Sequence, residues 1–263
     1  MPTDPFVEVA SLASRGAIRY LDARDPAAFD MGHAPGAVRV RLEDWDKAAK
    51  AADTGFTKTA YWDDALSALG IGPSVTAVVY DTGAMTNAAR VWFILQYFGV
   101  AGVIVNGGWP ALAGAGSLPE GAGPSQVSFH AQPGAGTVGV VDRETLKGQL
   151  DGAAHVFDSR TRAEFTGEDS RNRPRGGHLP GARHLSHVDL LDHGIVHPAP
   201  VLRAMMEGVG FGPGDHIVTH CEGGGRAALA AAAAVRAGFD DVRVYYLSFA
   251  DWARDESCPI VRD

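Results

Sequence analysis

Residues 220–226 read His220-Cys221-Glu222-Gly223-Gly224-Gly225-Arg226. The run follows an apolar, strand-like His216-Ile217-Val218-Thr219 and precedes an Ala-rich stretch, Ala227 to Ala237, that reads as helix. A thiol at a strand end, ahead of a Gly-rich turn and a helix start, lies among free backbone N–H groups and beside the positive end of a helix dipole. Those conditions favour the thiolate, the nucleophilic form of cysteine. Three consecutive glycines let the backbone curl inward, so that the N–H groups of Glu222, Gly223, Gly224, Gly225 and Arg226 form a cradle for an anionic atom. Arg226 is placed to close the loop and to offer local positive charge. Glu222 works in the opposite direction, because a carboxylate beside a thiol disfavours the thiolate.

The elements around this loop alternate. Ile18 to Leu21, Ala77 to Tyr80, Val138 to Val141, His155 to Phe157 and His216 to Thr219 have the composition of short buried strands. Helical stretches separate them, among them Asn87 to Tyr97, where Ala88, Val91, Trp92, Leu95 and Phe98 keep helical spacing. Strand and helix in alternation predict an α/β fold with a mostly parallel sheet flanked by helices, and ligands at the C-terminal ends of its strands.

The chain also repeats itself. Leu21-Asp22-Ala23-Arg24 recurs as Phe157-Asp158-Ser159-Arg160, and Gly32-His33-Ala34-Pro35-Gly36-Ala37 as Gly177-His178-Leu179-Pro180-Gly181-Ala182. Gly70-Ile71-Gly72-Pro73 precedes Asp81 as Gly210-Phe211-Gly212-Pro213 precedes Cys221, and Trp109 and Trp252 close the two series. So long a period indicates domain duplication rather than a solenoid. We divide the chain into residues 1–124, a linker at 125–136 within the Gly-, Ala-, Pro- and Ser-rich stretch from Gly114 to Gly136, and residues 137–263; Gln126 to Ala131 alternates as a short strand would. The alignment sets Asp81, with no thiol and no closing Arg, opposite Cys221, which assigns the chemistry to the second half.

Recurrence also bears on the charged residues. Asp158 and Arg160 repeat as Asp22 and Arg24 in the half without a thiol, which favours a supporting ion pair, and His178 repeats as His33 in the same way. Arg171, Arg173 and Arg175 form a basic stretch confined to the second half; a solvated loop is the default, with Arg175 the candidate for binding an anion. His184, His187, His193 and His197, and the pair His216 and His220, lack the spacing of a metal site, so neither metal nor organic cofactor is expected. The loop lacks the Lys-Ser/Thr ending of a nucleotide-phosphate loop.

Composition narrows the class. The 263 residues are 46% hydrophobic and 21% charged, enough for packed cores, and the formal net charge of −8 argues against nucleic acid or an anionic membrane as partner. The longest small-apolar run, Ala227 to Val235, is too short to span a bilayer. With no signal-like N-terminus, and with Cys221 and Cys258 as the two cysteines, a reducing cytoplasm is the expectation.

In its D-x-R strand ends, its G-H-x-P-G-A segments, its six-residue loop beginning with Cys and its single armed half, the chain resembles the tandem-domain sulfurtransferases of the rhodanese family over essentially its whole length. The resemblance implies two tandem rhodanese-like domains. It also implies that Cys221 takes a sulfane sulfur from a small anionic donor, carries it as a persulfide, and passes it to cyanide, a thiol or a protein acceptor. Thiosulfate is favoured as the donor and 3-mercaptopyruvate is the alternative. Glu222 departs from thiosulfate-type loops, which carry basic residues after the Cys, and Glu164 stands where mercaptopyruvate-type members carry Arg. Two rivals stay open: a Cys-dependent phosphatase, whose H-C-x-x-x-x-x-R loop is one residue longer than this one, and a sulfur-carrier module without turnover.

Overall fold

The computed structural model describes residues 3–72, 74–124 and 128–262. Packing divides the chain into Asp4–Gly136 and a second unit beginning at Thr137. In the first unit the strands are β1 (Phe6–Val7), β2 (Ile18–Asp22), β3 (Val38–Arg39), β4 (Thr76–Tyr80) and β5 (Gly102–Val105), and the helices are α1 (Pro26–Met31), α2 (Leu42–Lys50), α3 (Thr59–Ser67), α4 (Thr86–Tyr97) and α5 (Gly108–Ala113). The second unit has β6 (Val138–Val140), β7 (His155–Asp158), β8 (Arg183–His184), a β9 (Leu191–Asp192) and β10 (Ile195–Val196) hairpin, β11 (Ile217–His220) and β12 (Val242–Val244). Its helices are α6 (Arg143–Gly148), α7 (Arg162–Thr166), α8 (Ala199–Gly208), α9 (Gly225–Arg236) and α10 (Ser248–Trp252).

The sheets have matching orders, β1-β5-β4-β2-β3 and β6-β12-β11-β7-β8, and their strand pairs are parallel. Duplication is therefore visible in topology as well as in motifs. The central strands β4 and β11 are almost wholly buried, as strands covered on both faces must be. The expected strand at His216–Thr219 lies one residue later, which brings His220 into β11 beside Asp158 of β7.

Helix α9 explains its own composition. Its residues are buried almost all round, so a run of alanines lets it lie close on the sheet, and Thr219 Oγ1 of β11 donates to Ala227 O at 2.9 Å. The expected linker is tied to the first unit: Gln132 N donates to Phe98 O at 3.1 Å and Ala135 N to Tyr97 O at 3.2 Å. Of the short strand expected at Gln126–Ala131, residues 126 and 127 lie outside the described residues, and 128–131 are not strand. Among the described residues no helix is long and apolar enough to cross a membrane.

The repeated D-x-R segments have one architecture. Asp22 and Asp158 end their strands fully buried; Arg24 and Arg160 fold back on them through Nε and Nη2, and each Nη2 also donates to the carbonyl preceding the repeated His, Gly32 O at 2.6 Å and Gly177 O at 2.8 Å. Each guanidinium lies against an aromatic ring, Arg24 at 4.3 Å from the centroid of Trp109 and Arg160 at 3.9 Å from that of Phe249. Trp109 thus corresponds to Phe249, which lies as far beyond Cys221 as Trp109 does beyond Asp81, and not to Trp252, which matches it in residue type alone. The repeated histidines stack on Phe29 and Phe165 and meet the carbonyls of those residues through Nδ1. Removing one partner of such a pair strands a buried charge, so Asp22→Asn should lower stability by about 3–5 kcal/mol in urea unfolding, and Asp22→Asn with Arg24→Leu by less than the sum of the two single changes.

Candidate active site

Cys221 follows β11 directly and is 1% exposed. Gly224 N donates to its Sγ at 3.1 Å, and α9 begins at Gly225, so sulfur, turn and helix start are gathered as the spacing requires. Among the three glycines Gly224 carries the special conformation: its φ is +98°, and a Cβ there would come within 3.0 Å of the Tyr246 ring and carbonyl. A side chain at this position would open the turn.

Ser248 is a site residue absent from the sequence reading. It is fully buried at φ +59°, a left-handed conformation unusual for a residue with a Cβ. Its Oγ accepts from Cys221 N at 3.2 Å, lies 3.8 Å from Cys221 Sγ and donates to Tyr245 O at 2.9 Å. With its single proton committed to Tyr245, the hydroxyl presents a lone pair to the neutral thiol and must rotate to donate to a thiolate. Aligning the repeats on their loops reveals the signal: Phe249 N donates to Cys221 O as Trp109 N does to Asp81 O, so Ser248 stands where the first unit has Gly108 at φ +58°.

Asp81 shows what the frame requires without a thiol. Its Oδ1 accepts from Gly83 N and Met85 N, and its Oδ2 from Asn87 N and Ala88 N, at 2.9–3.1 Å. The carboxylate itself fills the first unit's backbone cradle.

Arg226 does not stand free. Its Nη1 and Nη2 donate to Glu164 Oε2 and Oε1 at 2.6 and 2.8 Å. Thr161 N and Oγ1 also donate to Glu164 Oε2, completing the capping box of α7. Burial would raise the Glu164 pKa, but the Arg226 and Thr161 donors prevail and hold it at about 2. Burial likewise pulls Arg226 down, and Glu164 and the Cys221 sulfur outweigh it, leaving the guanidinium above its ordinary value. His187, in the single turn His187–Leu190, is held below the usual histidine value by burial and then by the Arg226 charge.

Glu222 is also matched. Arg173 Nε and Nη2 both approach its Oε1 at 2.5 Å, so the loop carries a neutralised pair where the sequence implies a bare carboxylate. Arg175 is not brought to this group: its guanidinium is spent on the carbonyls of Trp252, Ala253, Asp255 and Cys258, capping the C-terminal end of α10. That commitment corrects its candidacy as an anion ligand. Arg171 is exposed. Asp158 and Arg160 sit beneath the loop as a brace, with His220 Nε2 at 3.3 Å from Asp158 Oδ2; burial pushes the Asp158 carboxyl up, and His220 and Arg160 prevail, holding it far below the usual carboxylate range.

Two changes separate these roles. Because Glu164 titrates at about 2 when folded and near 4.5 when unfolded, its stabilisation is complete above pH 4.5 and is lost as pH falls toward 2. Glu164→Gln should therefore cost roughly 3 kcal/mol at pH 7 and flatten that acid limb in denaturation curves. Ser248→Gly relieves backbone strain but takes a partner from the buried Cys221 N–H and Tyr245 carbonyl. The two effects should offset and the melting temperature change little, while the iodoacetamide alkylation rate of Cys221 shifts by about threefold or more.

The rhodanese-like domain model matches residues 6–115 and 142–255. The chain is 30% identical over 276 residues to a thiosulfate sulfurtransferase of Corynebacterium glutamicum, covering 95% of this chain and 87% of that one. It is 28% identical over 270 residues to the 3-mercaptopyruvate sulfurtransferase of Escherichia coli K12, covering 98% and 92%. Among solved structures, the anaerobic ergothioneine biosynthesis enzyme of Chlorobium limicola, in complex with trimethyl histidine, superposes with a TM-score of 0.77 at 22% identity. That alignment covers 94% of this chain and 64% of the other, a likeness of fold. The chain belongs to the rhodanese family, as a tandem-domain member related to the thiosulfate and 3-mercaptopyruvate sulfurtransferases.

Proposed function

We propose that the protein is a ping-pong sulfurtransferase in which Cys221 accepts a sulfane sulfur from thiosulfate and delivers it to a thiol or to cyanide. The observation that carries this reading is the contrast between the two loops. Among the described residues Asp81 draws four backbone N–H donors, whereas Cys221 Sγ receives one, from Gly224, at the start of a helix whose dipole favours negative charge. An anionic outer sulfur on Cys221 suits the same kind of cradle. In the first half-reaction the Cys221 thiolate attacks the outer sulfur of thiosulfate, the S–S bond of the donor breaks and sulfite leaves with its electron pair. In the second, an acceptor nucleophile takes the same sulfur and the pair returns to Sγ.

Both arginines beside the loop are already paired, so a dianion meets N–H donors and a helix dipole rather than an unmatched cation. Thiosulfate should therefore saturate weakly, and Glu222→Gln should lower its KM by several-fold, measured by sulfite release. The 28% likeness to a 3-mercaptopyruvate sulfurtransferase over nearly the whole chain keeps that keto acid as the second donor. Intact mass separates these readings. A gain of one sulfur (about 32 Da) after brief exposure to either donor, absent in Cys221→Ser and removed by cyanide, supports persulfide transfer, and the faster donor is the better substrate. No gain with either donor rejects it.

A further inference from the structure

His220 ends β11 with its side chain fully buried, and both of its ring nitrogens face oxygens. Nδ1 lies 3.2 Å from Cys221 O, and Nε2 lies 3.3 Å from Asp158 Oδ2 with no aligned hydrogen bond of its own. Arg160 donates to both Asp158 oxygens, so that group is a carboxylate. A carbonyl and a carboxylate only accept. A neutral imidazole carries one N–H and one lone pair, so either tautomer would aim a lone pair at one of these oxygens. In a buried site such a mismatch is costly, and the imidazolium alone offers hydrogen to both sides.

The first unit shows what stands here when no thiol follows. Strand register sets Asp22 opposite Tyr80 as it sets Asp158 opposite His220, so Tyr80 is the counterpart of His220. Tyr80 is also fully buried; it hydrogen-bonds the Asp22 side chain, and its hydroxyl accepts from Ala34 N at 3.2 Å. Burial above all, with Asp22 adding to it, holds the phenol well above its ordinary value, so the group is a neutral donor. The residue after it is Asp81, whose charge is already met by four N–H donors. The second unit makes the opposite choices. A titratable ring replaces the phenol, and the residue after it is a sulfur that takes one N–H donor among the described residues.

We infer that His220 is held as imidazolium and that its charge keeps Cys221 in the thiolate form, which makes it a positioning residue for the nucleophile. With His220 protonated, Asp158, Arg160 and His220 sum to one positive charge beneath the loop, and the thiolate brings the four groups to neutrality. The contact runs through the Cys221–Glu222 peptide: Cys221 O takes the Nδ1 hydrogen as well as Phe249 N–H, and the N–H of the same peptide opens the loop. The proton that Cys221 gives up goes to solvent, and both ring protons stay on His220. From β7 the charged groups at His220 are Asp158 and the Arg160 paired with it. From α9 Arg226 acts on both Asp158 and the Cys221 sulfur and is itself answered by Glu164, while Glu222 is answered by Arg173 and Arg243 of β12 is exposed. The inference rests on the reading of Cys221 as the nucleophile and needs no particular sulfur donor.

The test follows iodoacetamide alkylation of Cys221 against pH in the full-length protein, with the modified residue located by peptide mass. His220→Gln removes the charge, and His220→Tyr installs the residue that the first unit carries at this position. In both, the midpoint of the alkylation profile should rise by about one pH unit or more, the scale of losing one adjoining opposite charge. A residue that merely packs the loop would change the plateau rate and leave the midpoint in place. Linkage supplies the converse measurement, from the ring-nitrogen chemical shifts of His220. The ring should carry both protons at neutral pH in the unsubstituted protein, and in Cys221→Ser should lose one about one pH unit lower. That comparison decides the matter if neither His220 variant folds. An unmoved midpoint in a folded variant, or a neutral His220 ring at neutral pH, overturns the inference. Persulfide loading from thiosulfate or 3-mercaptopyruvate, read by intact mass on the unsubstituted protein, tests the underlying reading separately. Loading with an unmoved midpoint leaves sulfur transfer standing and removes the role of His220. Failure to load removes sulfur carriage and leaves the charge pairing to be judged by the midpoint.

Discussion

A helix that begins where a central parallel strand ends leaves backbone N–H groups converging on one point, and something with lone pairs must occupy it. Both units obey that constraint with different atoms. In the first, the Asp81 carboxylate takes four N–H donors and the site is complete. In the second, the occupant is the Cys221 sulfur, a larger and softer atom holding one of those donors, from Gly224. The positive φ of Gly224 and the close packing of α9 serve to bring that convergence onto a single sulfur.

Beneath each loop lies the same buried brace, an aspartate at the strand end folded onto the arginine two residues later and sealed by an aromatic ring. Such pairs give geometric definition more than stability, because the cost of desolvating two charges offsets most of their attraction. Their presence in both units, one with a nucleophile and one without, marks them as part of the scaffold. The pairs particular to the second unit, Arg226–Glu164 and Arg173–Glu222, are the ones that shape what the thiol meets.

The frame was largely legible in the residues. Strand–helix alternation, the repeated Asp22/Arg24 and Asp158/Arg160 motifs and the Gly-rich loop sufficed for the parallel sheets, the duplication and the position of Cys221, because each depends on local spacing. What escaped depends on contacts between distant segments. Nothing near Arg226 in sequence announces Glu164, 62 residues away, as its partner. The basic stretch gave no means of telling Arg173, which reaches Glu222, from Arg175, which caps α10, since alternate residues of an irregular segment point to different surroundings. Ser248 was hidden by aligning Trp109 with Trp252 when the structural counterpart of Trp109 is Phe249. A buried hydroxyl at a left-handed position has no periodic signature.

Asp81 carries a consequence for durability. A carboxylate is inert to peroxide, electrophiles and heavy metals, while a thiolate climbs the oxidation ladder to sulfinic and sulfonic acids and does not return unaided. Both cysteines of the chain, Cys221 and Cys258, lie in the second unit. The first unit is therefore a scaffold without an oxidisable thiol, so damage that silences Cys221 leaves the architecture of that unit untouched, and loss of chemistry there is uncoupled from loss of fold.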